Sequence, residues 1–447
     1  MDYLVGLDVG TTSSKAVVLD TGGAEVAHGR APTSWHAAAA GGVQTEAPAV
    51  LESARRALAA ALRKTPGGPI IAVGVASMGE SGVLLDRDGD PIAPVIAWHD
   101  NRDEKEVRQL GETFGAEGFA RRTGLPLRSQ WSLTKHRWLI DHHAPSENAV
   151  RRLGIAEWVV RRLGGEEVSE ESLASRTGWL QLEARDWWPE ALEWSGMKAS
   201  LLAPLVTAGT AVGRVSPTVG LDGLSGAVLT VAGHDHQAAA IGARAAAAGD
   251  VLDSCGTAEA LIRTVLPGLD ADAVLALTGA GITVGWHALP DHWCLLGGTQ
   301  GGLVLQRVLT ALGRTGSDLA SLDPQALAAD PAGVRISGDD PVGISGITEG
   351  TGPAQIWRAA LEEVTRRAGV LDAAMTAVSG RGNKFIVTGG WARSAALLEI
   401  KRRAFGPLTH TDVREAGARG AAILAGVAAG VYRDVDHAQA LTRAASS

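Results

Sequence analysis

Cysteine is scarce in this sequence: only Cys255 and Cys294 occur among its 447 residues. Two thiols build no disulfide framework, and a reducing cytoplasm is the expected location. Positive charge is not in excess either. The 41 Lys and Arg stand against 49 Asp and Glu, a net charge of −8, so nucleic acid, whose backbone demands a basic face, is not an expected partner. No uncharged apolar run reaches the length that crosses a bilayer, and no membrane partner is expected. The Ala-rich segment 238–248 is broken by Arg244 and reads as a packed helix. The start, Met1-Asp2-Tyr3-Leu4, lacks a basic stretch followed by an apolar one, so no signal peptide is expected. A G-x-x-x-x-G-K-[ST] sequence is missing, which argues against a P-loop kinase, and so is a G-x-S-x-G elbow.

What remains is the composition of a globular protein, 45% hydrophobic and 20% charged. The length suits two domains of about 200 residues each. The apolar runs Tyr3 to Val9 and Lys15 to Leu19 read as strands joined by the polar turn 10–14, with a third strand near Val26. Leu51, Ala54, Leu58 and Leu62 recur at helical spacing within 46–64. Residues 70–76 read as a strand. Val83–Asp86 and Ile92–Ala97 read as a hairpin about the turn 87–90. Strands, helix, strand and hairpin together predict a mixed α/β layer fold. Residues 102–200, rich in tryptophan, read as helices and loops lying over that sheet. The segment 314–345, rich in Gly, Pro, Asp and Ser, reads as loop. Gly249–Ser254 and Leu261–Val265 flank Cys255-Gly256-Thr257, as the first two strands flank Gly10-Thr11. That likeness points to a duplicated domain with a boundary near 236–248.

Five segments carry chemistry. In Asp8-Val9-Gly10-Thr11-Thr12-Ser13-Ser14-Lys15, the acid ending a strand suits a hydrated magnesium ion. Gly10 admits phosphate oxygens, the hydroxyls and amides of Thr11 to Ser13 donate to them, and Lys15 adds charge; a plain hairpin turn would use the same residues. In Gly233-His234-Asp235-His236-Gln237, Asp235 stands where strand meets helix. There it serves equally as a base toward a substrate hydroxyl or as a helix cap, while a metal bound by the two histidines lacks a third ligand at suitable spacing. Gly256-Thr257 is a second phosphate turn or an ordinary one. Gly389-Gly390, after Val387-Thr388 and before Ser394, fits either an adenosine face or close strand-to-helix packing. Glu80, Trp98, Asp100 and Arg102 suit a polyhydroxyl ligand, or a surface ion pair.

Taken in order, these segments resemble the FGGY carbohydrate kinases, which include glycerol kinase and xylulokinase, over nearly the whole chain. Gly6 through Lys15 resembles the family's first phosphate segment, and Trp98-His99-Asp100-Asn101-Arg102 its W-x-D-x-R block. Ser132 to Trp138 and Ile344 through Glu362 are similar to its two signatures, and 389–394 and 417–426 to its adenosine-side segments. The resemblance implies an α/β fold of two duplicated actin-like (ribonuclease H-like) ATPase domains with a cleft between them, 1–236 binding sugar and 237–447 binding nucleotide. It implies ATP and magnesium, Asp235 as catalytic base, and Asp8 with Asp235 on the metal side. Gly10, Thr11, Thr12, Ser13, Lys15, Gly256, Thr257, Gly301, Gly302, Gly389, Gly390 and Ser394 would face the nucleotide. Met78, Glu80, Trp98, Asp100, Asp235 and His236 would face a small sugar, polyol or sugar acid. Gly79 and Gln130 replace an arginine and an aromatic of glycerol kinase, Met78-Gly79 stands for the Met-His pair of xylulokinase, and His136 and Val342 depart from the signatures. A catalytically silent regulator on the same fold and an actin-like ATPase are the rival readings; Asp235 argues against the first and the polyhydroxyl set against the second. Frequency alone favours a homodimer.

Overall fold

The computed structural model describes residues 1–444 other than 39–40, 222, 332 and 412. The chain forms two compact units. The first takes 1–244 with 284–294 and 415–447, and the second takes 245–283 with 295–414. Compactness therefore groups the residues differently from a single cut at 236/237. The C-terminal stretch joins the first unit because the helix Ala416–Ala428 packs on that unit's sheet.

Unit one is built on a five-stranded sheet of β1 (Tyr3–Val9), β2 (Ser13–Asp20), β3 (Glu25–Pro32), β4 (Ile70–Ser77) and β5 (Val228–His234). The spatial order is β5-β4-β1-β2-β3. The pairs β1–β2 and β2–β3 are antiparallel, while β1–β4 and β4–β5 are parallel. Every residue of β1 is buried, which is why its sequence is a continuous apolar run rather than an alternating one. One face of the sheet is covered by α1 (Ala47–Leu62), through Val50, Ala54, Ala57, Leu58 and Ala61. The other face carries the helix Ala416–Ala428, made largely of Ala and Gly. A Cβ added at Gly6 would lie 1.8 Å from the Ala418 carbonyl oxygen, and one at Gly74 would lie 2.1 Å from that of Ala421. Only glycine permits this approach of helix to sheet. The same helix packs on α2 (Asp235–Gly242), which follows β5 directly. The Ala-rich segment thus ends its helix at Gly242, and Arg244 turns into the left-handed region at φ 62.

Two readings of the sequence are corrected. Residues 83–97 are not a hairpin of paired strands. The turn forms, with Asp86 Oδ1 accepting from the amides of Asp88 and Asp90, but Gly82–Leu85 pairs with Arg151–Gly154, and Val95–Ile96 with Val43–Thr45. Pro91 and Pro94, which have no N–H to give a ladder, limit the direct pairing to a single bridge, Leu85 to Pro91. Between 102 and 200 short helices dominate, and Phe119, Trp131, Leu133, Trp179 and Trp188 form a hydrophobic cluster of their own. The segment 314–345 is also not all loop: it holds the helix Leu319–Ala328 and the strand pair Arg335–Ser337 with Gly343–Ser345. Leu319, Leu322 and Ala326 fall on one buried face, a helical spacing obscured by the breaker residues around it.

Unit two repeats the opening motif. β6 (Asp250–Cys255) and β7 (Glu259–Val265) form an antiparallel hairpin, α3 (Gly301–Ala311) follows the strand Trp293–Thr299, and β8 (Lys384–Thr388) lies parallel to β6 as β4 lies to β1. A short 3-10 turn leads from β8 into α4 (Ala395–Phe405).

Candidate active site

In unit one the end of β1 and the start of α2 bring together two carboxyl groups, Asp8 buried and Asp235 with its side chain 22% exposed. Asp8, on β1, pairs in register with Lys15 on β2, and the Lys15 ammonium lies 3.9 Å from Asp8 and 3.3 Å from Glu415. Burial pushes the Asp8 carboxyl from 3.8 to about 7, with Lys15 opposing and Asp235 and Glu415 adding to the rise. Asp8 Oδ1 is buried and has no hydrogen-bond partner among the described residues. Asp235 is the first residue of α2. Its Oδ1 accepts the His236 amide at 2.7 Å, and the cap position before it belongs to His234, which makes no side-chain cap bond. Oδ1 thus serves a first-turn amide of α2 and lies 3.3 Å from His234 Nε2, while Oδ2 has no hydrogen-bond partner among the described residues. Burial, and after it the charge of Glu80, lift Asp235 to about 7, against the pull of its His236 bond, Lys15 and Arg176. Neighbouring His236 is lowered to about 4 by burial and by Arg176, so it is neutral at physiological pH.

The β5–α2 junction is braced from beneath. Ser172 Oγ accepts the His234 amide at 3.0 Å and donates to Glu170 Oε2 at 2.6 Å. Glu170 is fully buried, and burial raises its carboxyl to about 8. Gly233, at φ 84, leaves room for the Ser172 hydroxyl, which would lie 2.5 Å from an added Cβ.

Glu80 stands in the left-handed region at φ 64, a conformation that costs a non-glycine residue about 1 kcal/mol or more and marks a constrained site. Arg176 Nε donates to Glu80 Oε1 at 2.7 Å, Gln130 Nε2 donates to the same oxygen at 2.9 Å, and Ser132 Oγ donates to the Glu80 carbonyl. Gln130 thus fills its place as a hydrogen-bonding group. Trp98 Nε1 donates to Thr11 Oγ1 at 2.9 Å, and that hydroxyl in turn contacts Met78 Sδ at 3.7 Å, which ties the aromatic segment to the first turn. Trp35 donates to the Thr11 carbonyl and Thr33 to that of Gly10.

Not every residue of the first segment and the polyhydroxyl set joins this group. Thr12 is exposed at the turn, whereas the Ser13 hydroxyl is buried and accepts from Arg30. Asp100 is fully enclosed, held by Arg102 and by the Val43 amide. Glu415, Arg176, Glu170 and Ser172 were missed as functional residues. Arg176 sits in Ala174-Ser175-Arg176-Thr177-Gly178, where no residue spacing marks it as part of a site.

In unit two, Gly256 and Thr257 form the turn between β6 and β7. A Cβ on Gly302 would lie 1.9 Å from the Gly256 carbonyl oxygen, so the start of α3 rests against that turn. Gly389, at φ 99, lies against the backbone of Cys255, Gly390 is open, and the buried Ser394 caps α4 through the Leu397 amide at 3.1 Å while donating to Asp323.

Two α/β units, each led by an antiparallel hairpin with a Gly-Thr turn, repeat one motif along the chain. Residues 3–242 match the family model "FGGY family of carbohydrate kinases, N-terminal domain". The glycerol kinase of Thermus brockianus is 31% identical, with 96% of this chain and 90% of that protein covered. Among solved structures, the xylulose kinase of Lactobacillus acidophilus has a TM-score of 0.87 at 21% identity, covering 99% of this chain and 92% of that one. The gluconate kinase of the same organism has a TM-score of 0.86 at 20% identity, covering 98% and 92%. The chain belongs to the FGGY family of carbohydrate kinases and is a carbohydrate kinase. ATP is the phosphoryl donor this family membership implies.

Proposed function

We propose that this kinase phosphorylates a hydroxyl of a small sugar, polyol or sugar acid, with Asp235 as general base. The observation that carries the reading is the Asp235 carboxyl itself: it opens the helix that directly follows a buried strand, titrates at about 7, and engages only one of its oxygens in a hydrogen bond among the described residues. A carboxyl poised near neutrality takes a hydroxyl proton as that oxygen attacks phosphorus. Arg176 and Gln130 both hold Glu80 Oε1, which leaves Oε2 to accept from a substrate hydroxyl. Trp98, linked to Met78 through the Thr11 hydroxyl, is assigned the C–H face of the substrate, and neutral His236 its polar side.

The nucleotide's phosphates are assigned to Gly10, Thr11, Thr12 and Lys15 and to Gly256, Thr257, Gly301 and Gly302, and the adenosine to Gly389 and Gly390. The unpartnered Asp8 Oδ1 and the all-oxygen donor set fit magnesium, with Asp8 and Asp235 on its side. Magnesium, when bound, supplies charge neutralisation at the phosphate oxygens. Lys15 holds its proton against burial because Asp8 and Glu415 raise it, so it stays cationic toward the phosphate tail.

Asp235→Ala is the test. It is expected to abolish sugar-dependent ADP release, followed by a coupled assay across polyols, ketoses and aldonates, while leaving ADP binding by calorimetry intact. Release that persists in the variant sinks the assignment of the base.

A further inference from the structure

Lys401, on α4, has a side chain with no exposed area, and its ammonium contacts Asp253 on β6 and Glu259 on β7. These two acids bracket the turn 255–258. The network continues outward. Glu259 Oε2 accepts from Thr299 Oγ1 at 2.9 Å, and Thr299 Oγ1 accepts the Gly301 amide, the first of α3, at 3.1 Å. One buried cation thereby connects both strands of the hairpin to the N-terminus of the helix that rests on its turn. Gly256 and Thr257 make few bonds of their own beyond the Gly256 amide to the Ser254 carbonyl at 3.0 Å, so the turn takes its shape from its flanks. Asp253, Cys255 and Glu259 bring ligand atoms within 4.8 Å of one another, but Lys401 already supplies the positive charge there, and burial keeps the Cys255 thiol protonated.

Stability gives no reason for this arrangement, since well-packed apolar residues do as well or better than a buried ion pair. Direction is what ions add. We infer that Lys401, acting through Asp253, Glu259 and Thr299, is a positioning group that holds the Gly256–Thr257 turn and the Gly301 amide in the geometry that receives nucleotide phosphates. This rests on the reading that the turn binds nucleotide.

Thr299→Val, which keeps the shape and removes the relay hydroxyl, is the decisive variant. Its ADP dissociation constant and its KM for ATP should rise about tenfold, the effect of one charge-assisted hydrogen bond. The KM for the sugar and the unfolding temperature should stay near wild type, and Thr299→Ser should restore nucleotide affinity. Lys401→Met should weaken ADP binding further. If that variant fails to fold, the triple substitution Lys401→Met, Asp253→Asn, Glu259→Gln leaves no unpaired buried charge, and it should fold yet still bind ADP poorly. Unchanged ADP affinity in Thr299→Val, or equal rises in both KM values, overturns the inference alone. A wild-type protein that binds no ADP overturns the nucleotide assignment together with it.

Discussion

Asp235→Asn keeps the side chain's shape and deletes its ionisation, so it isolates what the buried charge costs. The wild-type carboxyl titrates at about 7 in the folded protein instead of 3.8 because burial, and then Glu80, oppose the anion. Between those values the folded protein retains a proton that the unfolded chain has released. The site therefore leaves stability untouched below about pH 4, costs more as pH rises, and reaches its full cost above about pH 7. That span corresponds to roughly 4 kcal/mol, and about half survives once the shared rise with Asp8 and the partial exposure of the carboxyl are allowed for. Asparagine carries no such cost, and its carbonyl oxygen still accepts the His236 amide. At pH 8 the ligand-free variant should unfold roughly 4–8 °C above wild type, given 2–4 °C per kcal/mol for a unit of this size. At pH 5 the gap should shrink to about a third, because only that part of the span has been crossed. Turnover in the same variant should fall by about 10²–10⁴, the range for a lost general base. Thermal scans at pH 5, 6, 7 and 8 measure the gap. A variant no more stable than wild type at pH 8, or a gap independent of pH, refutes the reasoning.

Gly6→Ala sets a Cβ 1.8 Å from one backbone atom of the helix Ala416–Ala428 and 2.3 Å from another; neither can rotate away, so a loss of about 3 kcal/mol or more is expected in chemical denaturation. Ser172→Ala removes the bridge between Glu170 and the His234 amide at a cost of about 1–3 kcal/mol. If that bridge places Asp235, kcat falls about tenfold while ADP binding stays constant. Trp98→Phe keeps the apolar face but loses the bond to Thr11, and the sugar KM should rise about fivefold with kcat little changed, read from steady-state kinetics.

The strands β1, β4 and β5 were readable because burial on both faces leaves a continuous apolar run, and the acids Asp8 and Asp235 stand at the ends of such runs. Glu80 and Trp98 were readable as a polar and aromatic set near strand ends. The hairpin reading of 83–97 failed because the partners of those strands, 43–45 and 151–154, are remote in sequence, and local turn chemistry says nothing of them. The helix Leu319–Ala328 was hidden because counting Gly, Pro and Asp outweighed three correctly spaced apolar residues. The supporting groups were hidden for a common reason. Glu415 reaches Lys15, Arg176 reaches Glu80 and Lys401 reaches Asp253 only through tertiary packing. A lone charged residue, whether in a turn as Arg176, before a helix as Glu415 or on one as Lys401, reads as surface until the fold shows what it is buried against.

The duplicated hairpins show how one residue of register divides chemistry from support. Counted back from the turn glycine, Asp8 stands two residues before Gly10, whereas Asp253 stands three before Gly256. Side chains alternate along a strand, so the two acids point to opposite faces of otherwise equivalent strands. On β1 the even face looks toward the helix Ala416–Ala428, where glycines keep the space around the carboxyl small but unfilled: an added Cβ on Gly417 would lie 2.7 Å from Asp8 Oδ2. That carboxyl keeps an unpartnered oxygen and titrates near 7. On β6 the acid faces α4 instead, meets a lysine with no exposed surface, and has its charge neutralised on the spot. The position on β6 that matches Asp8 is Ser254, which brings no charge. A carboxyl with an unpartnered oxygen therefore stands beside the first Gly-Thr turn, whereas the acid beside the second is turned inward onto a buried lysine.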